Sequence, residues 1–521
     1  MKQMQNKISK YYKLKEERKD TEMLWEDCYK HTFPSQNIFA TSLNEKDQLY
    51  DATASMCTDQ LASHLLSEMT PPYSSWFQLG HKNKGDNAQN VDALLFDAQE
   101  KIYENLNQSN FFSCIHQCYT DLAIIGTSCL LFEEAPLGQN SAFSFKALSM
   151  KDIYVEEGAN SQTIYKKSSM TLDGIKEKFA TFKATKEMEK QAKENPDTKF
   201  NITECVYRDT ADYKYFVFTE NDNQILATGS FAQNPFIFFR FTKSPISVYG
   251  RSPVMKALPD IKTANKIVEL VLKNASLAVS GVWQADDDGV LNPANIELTP
   301  GAIIPKAMGS SGLTPLKVGS DFNVSDLVLK DVRENIKSAL LCTQLQPFNE
   351  NFNMSATEVL QRSSLALKIL GSTYGRLQSE LLTPLILRAF SILTRRGEIQ
   401  DLVNKNDLNV VYVSRLGQLK SYDDVQNIME WVKTIGSLGT LYSQQIDRQE
   451  LLQTITRKMN ISENFLLNKD KEYEKKILEF AYKLPSNLIE ILIDMDDEDL
   501  SENFNNFAKW VMSQKEEQEN V

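Results

Sequence analysis

Residues 252–280 read SPVMKALPDIKTANKIVELVLKNASLAVS, and this stretch decides the fold more than any other. Ser252 followed by Pro253 is typical of a helix N-cap and the first helical position. Apolar residues then recur every three or four positions, which predicts one buried helical face that continues to about Ser280. The apolar stripe consists of Ala264, Ile267, Val268, Val271, Leu272 and Ala275.

The segment after this helix predicts a small insert and then a second helix. Residues 281–322 are rich in Gly, Pro and Asp, with short predicted strands at 282–284 and 302–305. A second helix spans about 323–345, because its apolar residues again follow helical spacing. Its predicted buried face carries Leu329, Val332, Ile336 and Leu340.

A polar loop and a long helix come next along the chain. The loop, residues 346–354, is rich in Asn and carries two Phe. Ser355 and Glu358 form a capping box, which predicts that the long helix begins there and continues to about Arg396. Pro384 lies within this helix and predicts a kink.

The first 250 residues predict a mixed α/β region. Residues 54–69 form an amphipathic helix, which ends at Thr70-Pro71-Pro72 because proline cannot continue it. A further helix begins near residue 91, and the apolar run 122–132 around Gly126 follows it. Stretches rich in β-branched and aromatic residues predict strands. They lie at 153–156, 162–166, 203–208, 213–218, 236–241 and, much later, 408–415.

The composition is that of a globular protein. Of 521 residues, 42% are apolar and 24% are charged, enough for about two to four domains with sizeable cores. The first residues are dense in Lys and Glu, and no apolar run reaches the roughly 18 residues that a membrane helix needs. We therefore expect neither a signal peptide nor a membrane partner. The odd number of Cys, seven, indicates buried free thiols in a reduced compartment.

The net charge of −12 argues against tight, sequence-independent DNA binding, which depends on Lys and Arg neutralising phosphates. An acidic protein could still surround DNA, if the DNA has to slide through it and does not have to be held. Basic residues are spread along the predicted long helix, at Arg362, Lys368, Arg376, Arg388, Arg395 and Arg396. A solvated or salt-bridged face is the simpler interpretation, and a ring of positive charge near DNA or a neighbouring subunit is the alternative.

Motifs for catalysis, cofactors and metals are missing from the sequence. It contains no phosphate loop, dinucleotide-binding glycine motif or nucleophile elbow. Cys114, His116 and Cys118 are neighbours, but on a helix His116 would point away from the two Cys. Residues 286–289 resemble part of a calcium loop, but neutral amides occupy its first and last ligand positions. We expect no enzyme, no metal and no cofactor.

Several local sequences resemble the head-to-tail connecting (portal) proteins of short-tailed phages related to the T7 type. The matches keep their order over roughly residues 47–420. They are Tyr50-Asp51-Ala52-Thr53, Leu61-Ala62-Ser63, Met69-Thr70-Pro71-Pro72, Trp76-Phe77-Gln78-Leu79, Asn234-Pro235-Phe236-Ile237 with Arg240, Tyr249-Gly250-Arg251-Ser252-Pro253, Ala257-Leu258-Pro259-Asp260-Ile261-Lys262, Met354-Ser355-Ala356-Thr357-Glu358-Val359 with Arg362, and Gly375-Arg376-Leu377-Gln378-Ser379-Glu380-Leu381-Leu382-Thr383-Pro384-Leu385.

This resemblance implies a predominantly helical α+β portal fold, in a ring of twelve subunits around an axial channel. The implied parts are an α/β wing at 1–250, a first stem helix at 251–280, a clip at 281–322, a second stem helix at 323–345, a channel loop at 346–354, a long kinked wing helix and strand at 355–420, and a helical crown at 421–521.

The resemblance also implies roles for two segments. The channel loop would project towards DNA, with residues Gln346, Phe348, Asn349, Asn351, Phe352 and Asn353. Its amides can touch phosphates weakly, while its two Phe would pack against the wing or the DNA. The clip would dock the packaging motor and later the tail, with residues Trp283, Asp286, Asp287 and Asp288. Twelve copies at −12 each carry 12 × −12, or −144, which suits a sliding conduit.

The partners that the resemblance implies are those of a virion vertex. They are further copies of the chain, double-stranded genomic DNA, the terminase large subunit, the major capsid protein, a scaffolding protein and tail adaptor or nozzle proteins. The protein would be assembled in the host bacterial cytoplasm and reside at the head–tail junction. An ATPase of the packaging machinery is one alternative, and a tail adaptor or other virion protein without its own DNA channel is another. The order helix, small insert, helix, loop, long helix favours the portal.

Overall fold

The computed structural model describes residues 2–34, 49–72, 74–81, 88–158, 162–179, 184, 186–209, 212–220, 222–245, 247–280, 283–285, 308, 313–315, 322–342, 371, 373–400, 408–412, 428 and 430–431. The chain divides into two compact units, Met1–Leu416 and Gly417–Val521. Every element named below belongs to the first unit. In the second unit, the described residues Ile428, Glu430 and Trp431 are helical, and Trp431 is half-exposed.

Helices and strands are mixed throughout the first unit, in agreement with the expected α+β class. In chain order they are α1 (Lys2–Glu17), α2 (Lys19–Thr32), α3 (Thr53–Met69), β1 (Phe77–His81), α4 (Ala88–Gln108), α5 (Phe111–Ile125), β2 (Thr127–Glu134), β3 (Phe143–Leu148), β4 (Ile153–Glu157), β5 (Gln162–Thr171), α6 (Leu172–Lys178), α7 (Lys186–Glu194), β6 (Lys199–Asp209), β7 (Asp212–Thr219), β8 (Ile225–Phe231), β9 (Phe236–Arg240), β10 (Thr242–Lys243), β11 (Gly250–Arg251), α8 (Pro253–Ser280), β12 (Trp283–Ala285), β13 (Leu313–Pro315), α9 (Phe322–Ala339), a π-helical turn (Gln378–Leu382), α10 (Thr383–Arg396) and β14 (Leu408–Tyr412).

A three-stranded antiparallel sheet, in the order β3-β2-β9, separates the two largest apolar clusters. Leu130 and Phe132 of β2 belong to one cluster, with residues of α3, α4, α5 and α10. Cys129 and Leu131 belong to the other, with residues of α2, α8 and α9. Because side chains alternate along a strand, β2 buries both of its faces. This burial explains why the sequence is apolar without interruption there.

A second sheet is a five-stranded antiparallel meander, in the order β4-β5-β6-β7-β8. Phe216 and Phe218 of β7 pack with Tyr11 of α1 on one face. Val217 packs on the other face, in the cluster formed with α6 and α7. Near the end of the first unit the chain returns to its N-terminal part, because β14 pairs antiparallel with β1.

Most of the predicted elements are confirmed. Helix α3 buries Ala54, Cys57, Leu61, Ala62 and Leu65, the positions that its spacing selected, and it ends at Thr70. The predicted strands correspond to β4, β5, β6, β7, β9 and β14. All seven Cys are free thiols, six of them buried and one half-buried, as expected.

Several expectations need correction. Strands β2, β3 and β8 were not predicted. The second helix of the pair ends at Ala339 instead of 345, and Leu341 has a left-handed backbone with φ +60° that cannot continue it. Leu272, predicted on a buried face, is 52% exposed. The strand predicted at 302–305 lies outside the described residues, and β12 pairs instead with β13.

Pro384 is the second residue after the π-helical turn, which is closed by a hydrogen bond from the N–H of Thr383 to the carbonyl of Gln378. Such turns are a known cause of helix kinks. Substituting Pro384→Ala restores a backbone N–H, so the turn is expected to become α-helical and the segment to straighten. A cryo-EM structure of the variant measures this directly. A π-helical turn that persists in the variant would show that the proline does not cause it.

Candidate functional site

The residues that the sequence analysis selected lie mostly outside the described part of the chain. This holds for Gln346, Phe348, Asn349, Asn351, Phe352 and Asn353 of the channel loop and for Asp286, Asp287 and Asp288 of the clip. Trp283 is the first residue of β12 and stands opposite Pro315 of β13. The structure therefore defines α8 and α9, which flank residues 281–322 in sequence, and how these two helices are attached.

Helices α8 and α9 form an antiparallel pair. Met255 and Lys256 of α8 line the same cavity, of about 760 Å³, as Ala339 and Leu341, so the start of α8 lies beside the end of α9. The chain between the helices contains the ribbon of β12 and β13. The two predicted stem helices are thus neighbours, with the predicted clip between them in sequence.

The helix pair is buried at one end only. Val254, Ala257, Leu258, Ile261 and Ala264 of α8 are buried, and none of residues 265–276 is. In α9 the pattern is reversed. Its buried residue Ile336 lies near its end, and the described residues 326–335 are half-buried or exposed. One end of the pair is therefore anchored in the core, and the other presents most of its side chains outward.

The start of α8 is held against the junction of α5 and β2. Ser252 accepts a hydrogen bond from the N–H of Met255 (2.9 Å) as the predicted N-cap, and its hydroxyl donates to the carbonyl of Ile124 (2.7 Å). Gly126, the left-handed C-cap of α5, lies against the backbone of Arg251 and Ser252. A Cβ on Gly126 would stand 2.6 Å from the nitrogen of Ser252. Only glycine fits at this crossing.

A single segment, Tyr50–Asp51, binds both helices of the pair. The backbone N–H groups of Tyr50 and Asp51 donate to the side-chain oxygen of Asn265 in α8, at 2.6 and 3.1 Å. The Asp51 carboxylate accepts from Arg333 of α9 at 2.8 and 2.9 Å. This arrangement gives a physical reason for the Tyr50-Asp51-Ala52-Thr53 motif. The sequence analysis selected the motif but missed its partners Asn265 and Arg333.

Asp51 is held in its charged form. Burial opposes its ionisation, but hydrogen bonds from Thr53 and Arg333 outweigh burial and hold the pKa of Asp51 below its usual 3.8. The carboxylate side chain is 3% exposed, whereas that of Arg333 is 39% exposed. Solvent therefore screens this ion pair on the side of Arg333. The ion pair contributes to stability mainly because it provides a hydrogen-bond partner for the buried carboxylate of Asp51.

Substituting Asp51→Asn is expected to lower the free energy of unfolding at pH 7 by about 1–3 kcal/mol, because a charge-assisted hydrogen bond is lost. The folded-state pKa of Asp51 is depressed, so its stabilisation is present above the unfolded pKa and disappears as the pH falls through the folded one. Urea denaturation should show a larger wild-type advantage at pH 7 than at pH 3. Asp97→Asn, at an exposed position, is the control, and equal losses from both variants would contradict the assignment.

A second anchor joins the π-helical turn to β9. Glu380, inside that turn, accepts hydrogen bonds from the backbone N–H of Arg240 (3.0 Å) and from its guanidinium (2.6 Å). Arg240 also donates to the carbonyl of Val248, in the loop that leads into α8 (2.9 Å). Both residues occur in the motifs that carry the resemblance. One buried arginine thus connects the π-helical turn, β9 and the approach to the helix pair.

The basic residues near the end of the long helix bind within the subunit. Arg388 is buried and donates to the carbonyls of Phe132 and Gln233, both at 2.7 Å; burial lowers its pKa to about 10. Arg395 and Arg396 form ion pairs with Glu134. Arg395 and Arg396 follow the salt-bridged interpretation, whereas Arg388 is buried and binds backbone carbonyls, which the sequence analysis did not predict. Arg362 and Lys368 lie outside the described residues.

The helix pair differs in charge from the chain as a whole. Helix α8 contains four Lys, one Asp and one Glu, for a net +2, and α9 contains three basic and three acidic residues. Lysines 266 and 273 of α8 both bind Glu269, at 2.9 and 2.5 Å. The pair is therefore neutral to slightly basic within a chain of −12.

No cluster of three or more His, Cys, Asp or Glu side chains with the geometry of a metal site occurs among the described residues. None of the helices in the described ranges is both long enough and apolar enough to cross a bilayer.

Comparison with known proteins gives a consistent result. The family model described as "Bacteriophage head to tail connecting protein" matches residues 5–466. The chain is 25% identical to the portal protein of Salmonella phage epsilon15 over 473 residues, which cover 85% of this chain and 84% of that relative. It is 21% identical to the probable portal protein of Bordetella phage BPP-1 over 479 residues, with coverage of 85% and 84%. Identity to the portal protein of Enterobacteria phage T3 is also 21%, over 410 residues and 75% of each chain.

Proposed function

We infer the role of this protein from one premise: the chain belongs to the bacteriophage head to tail connecting protein family. It has a phage portal function and is a virion component of the head–tail junction. The tail-adaptor alternative is not favoured, because the relatives matched over most of their length are portal proteins.

We propose that copies of the chain, twelve in number, form a closed ring around an axial DNA channel, and that α8 and α9 line this channel. The observation that supports this is the helix pair, which is anchored in the core at one end and outward-facing at the other. The net charge of the helix pair also suits a channel through which DNA has to slide. A lining built from a helix pair that is neutral to slightly basic attracts phosphates only weakly.

The segments next to the pair then receive the roles that the resemblance implies. Residues 346–354 form the channel loop, and residues 281–322 form the clip that binds the terminase large subunit during packaging and tail adaptor or nozzle proteins afterwards. The wing faces the major capsid protein and the scaffolding protein during assembly in the host bacterial cytoplasm. The sequence contains no phosphate loop or other recognised catalytic motif. We therefore expect no ATP turnover by the purified protein.

Electron microscopy of the purified protein tests the proposed function. Closed rings of twelve subunits with a central hole are expected. Compact monomers in the images would overturn the ring, and a different subunit count would overturn only the number. Steady ATP hydrolysis that copurifies with the rings would overturn the purely structural role.

A further inference from the structure

Each helix of the pair presents an exposed leucine on the side that faces away from the core. Leu270 of α8 is 49% exposed and Leu327 of α9 is 65% exposed. Leu270 follows the buried Ile261 by nine residues, and Leu327 precedes the buried Ile336 by the same number. Nine residues are about two and a half helical turns, so each leucine lies opposite its isoleucine. Ile261 and Ile336 belong to one apolar cluster, and both leucines point away from it.

The two leucines also lie at the same level of the pair. Lys256 and Ala339 line one cavity and mark a common level near the core end. Leu270 lies 14 residues beyond Lys256, and Leu327 lies 12 residues before Ala339. At 1.5 Å per residue, both leucines are about 20 Å from that level. Side-by-side packing of two copies would bring the α8 leucine of one next to the α9 leucine of the other.

The charges around the two leucines are of opposite sign. Lys266 and Lys273, one turn before and after Leu270, share the single carboxylate of Glu269, which leaves an excess of one positive charge. Asp331, one turn after Leu327, is exposed and has no ion pair within the described chain. Lys330 and Lys337 of α9 are paired with Asp326 and Glu334, at 3.1 Å each. This leaves an excess of one negative charge.

We propose that these faces bind each other between two copies of the chain. The α8 face (Lys266, Leu270 and Lys273) of one subunit packs on the α9 face (Leu327 and Asp331) of the next, with Lys266 and Lys273 directed to Asp331. The two faces are different surfaces of one molecule, so the contact is head-to-tail and repeats around a closed ring. The inference rests on the proposed ring and names the residues that build it.

A charge exchange tests the pairing. Lys266→Glu and Asp331→Lys, each alone, place like charges across every contact, which is expected to raise the protein concentration for half-assembly by about tenfold or more. Lys266→Glu combined with Asp331→Lys in one chain is expected to restore assembly. Mass photometry measures the ring fraction, and circular dichroism verifies that each variant is folded. Lys190→Glu, at an exposed lysine of α7, is the control.

The apolar part of the contact is tested with aspartate substitutions. Leu270→Asp and Leu327→Asp are each expected to abolish rings, whereas Leu137→Asp, at a leucine that is 90% exposed on another surface, should not. A mixture of the Leu270→Asp and Leu327→Asp proteins retains one intact contact and should form heterodimers without rings. Rings from every variant would overturn this interface and leave the portal function intact. Monomers from the unsubstituted chain would overturn the ring itself, and the interface with it.

Discussion

Replacing Gly126 with alanine is expected to lower the free energy of unfolding by about 4 kcal/mol or more, the range of the most damaging single substitutions. Gly126 has φ +74°, a left-handed conformation that costs an L-residue about 1–2 kcal/mol. The added Cβ would also stand 2.6 Å from the nitrogen of Ser252 and 2.9 Å from the Cα of Arg251. These are backbone atoms, so no flexible side chain can move aside, and the start of α8 would have to shift.

Gly397 provides a matched control for this prediction. It caps α10 with φ +76°, nearly the same backbone conformation, but a Cβ there meets no atom of the described chain within 4 Å. Gly397→Ala is therefore expected to cost only the conformational strain, about 1–2 kcal/mol. Urea unfolding of the two variants separates strain from the backbone clash. Equal losses would show that the contact between Gly126 and the start of α8 is not tight.

Deleting residues 346–353 is expected to leave rings intact and to remove most of the DNA packaging or retention. The segment is polar and follows α9, whose described residues already carry the core contacts of that region. Weak contacts of its amide side chains with phosphates would guide DNA without holding it. The measurement is the amount of nuclease-protected DNA per particle in virions assembled with the variant, alongside ring counts by electron microscopy.

A Gly-Ser segment of equal length in place of 346–353 separates the chemistry of this loop from its length. If the replacement packages DNA as well as the native loop, the Asn and Phe side chains have no specific role. If the deletion abolishes ring assembly, the loop is a contact between subunits and not a DNA loop.

The local elements were predictable because they depend on neighbours in sequence. The spacing in α3 selected five of the seven residues that this helix buries, and Ser252-Pro253 marked the start of α8. The apolar run 122–132 was harder. It contains the end of α5 and a strand buried on both faces, and neither helical spacing nor alternation distinguishes such segments. The end of α9 was misplaced because apolar residues continue past Ala339, although Leu341 turns the backbone.

The attachment of the helix pair depends on residues that are far apart along the chain. Arg240 and Glu380 are 140 residues apart, and Asp51 and Arg333 are 282 apart. The sequence analysis selected Arg240, Glu380 and Asp51 as parts of separate motifs. Nothing in their spacing indicated which cation would meet which carboxylate. Such pairings arise only when the sheets and helices have packed.

The sequence by itself determined the order of the elements, the family resemblance and the helical spacing of α8 and α9, because helix and strand patterns are local. The tertiary structure decided which side of each helix is covered. Leu272 has the spacing of a core residue but is half-exposed, since the burial of α8 ends at Ala264. Leu270 and Leu327 are likewise recognised as outward-facing only when Ile261 and Ile336 are seen in one cluster. Hydrophobic spacing predicts a helical face, but only packing shows which partner covers it.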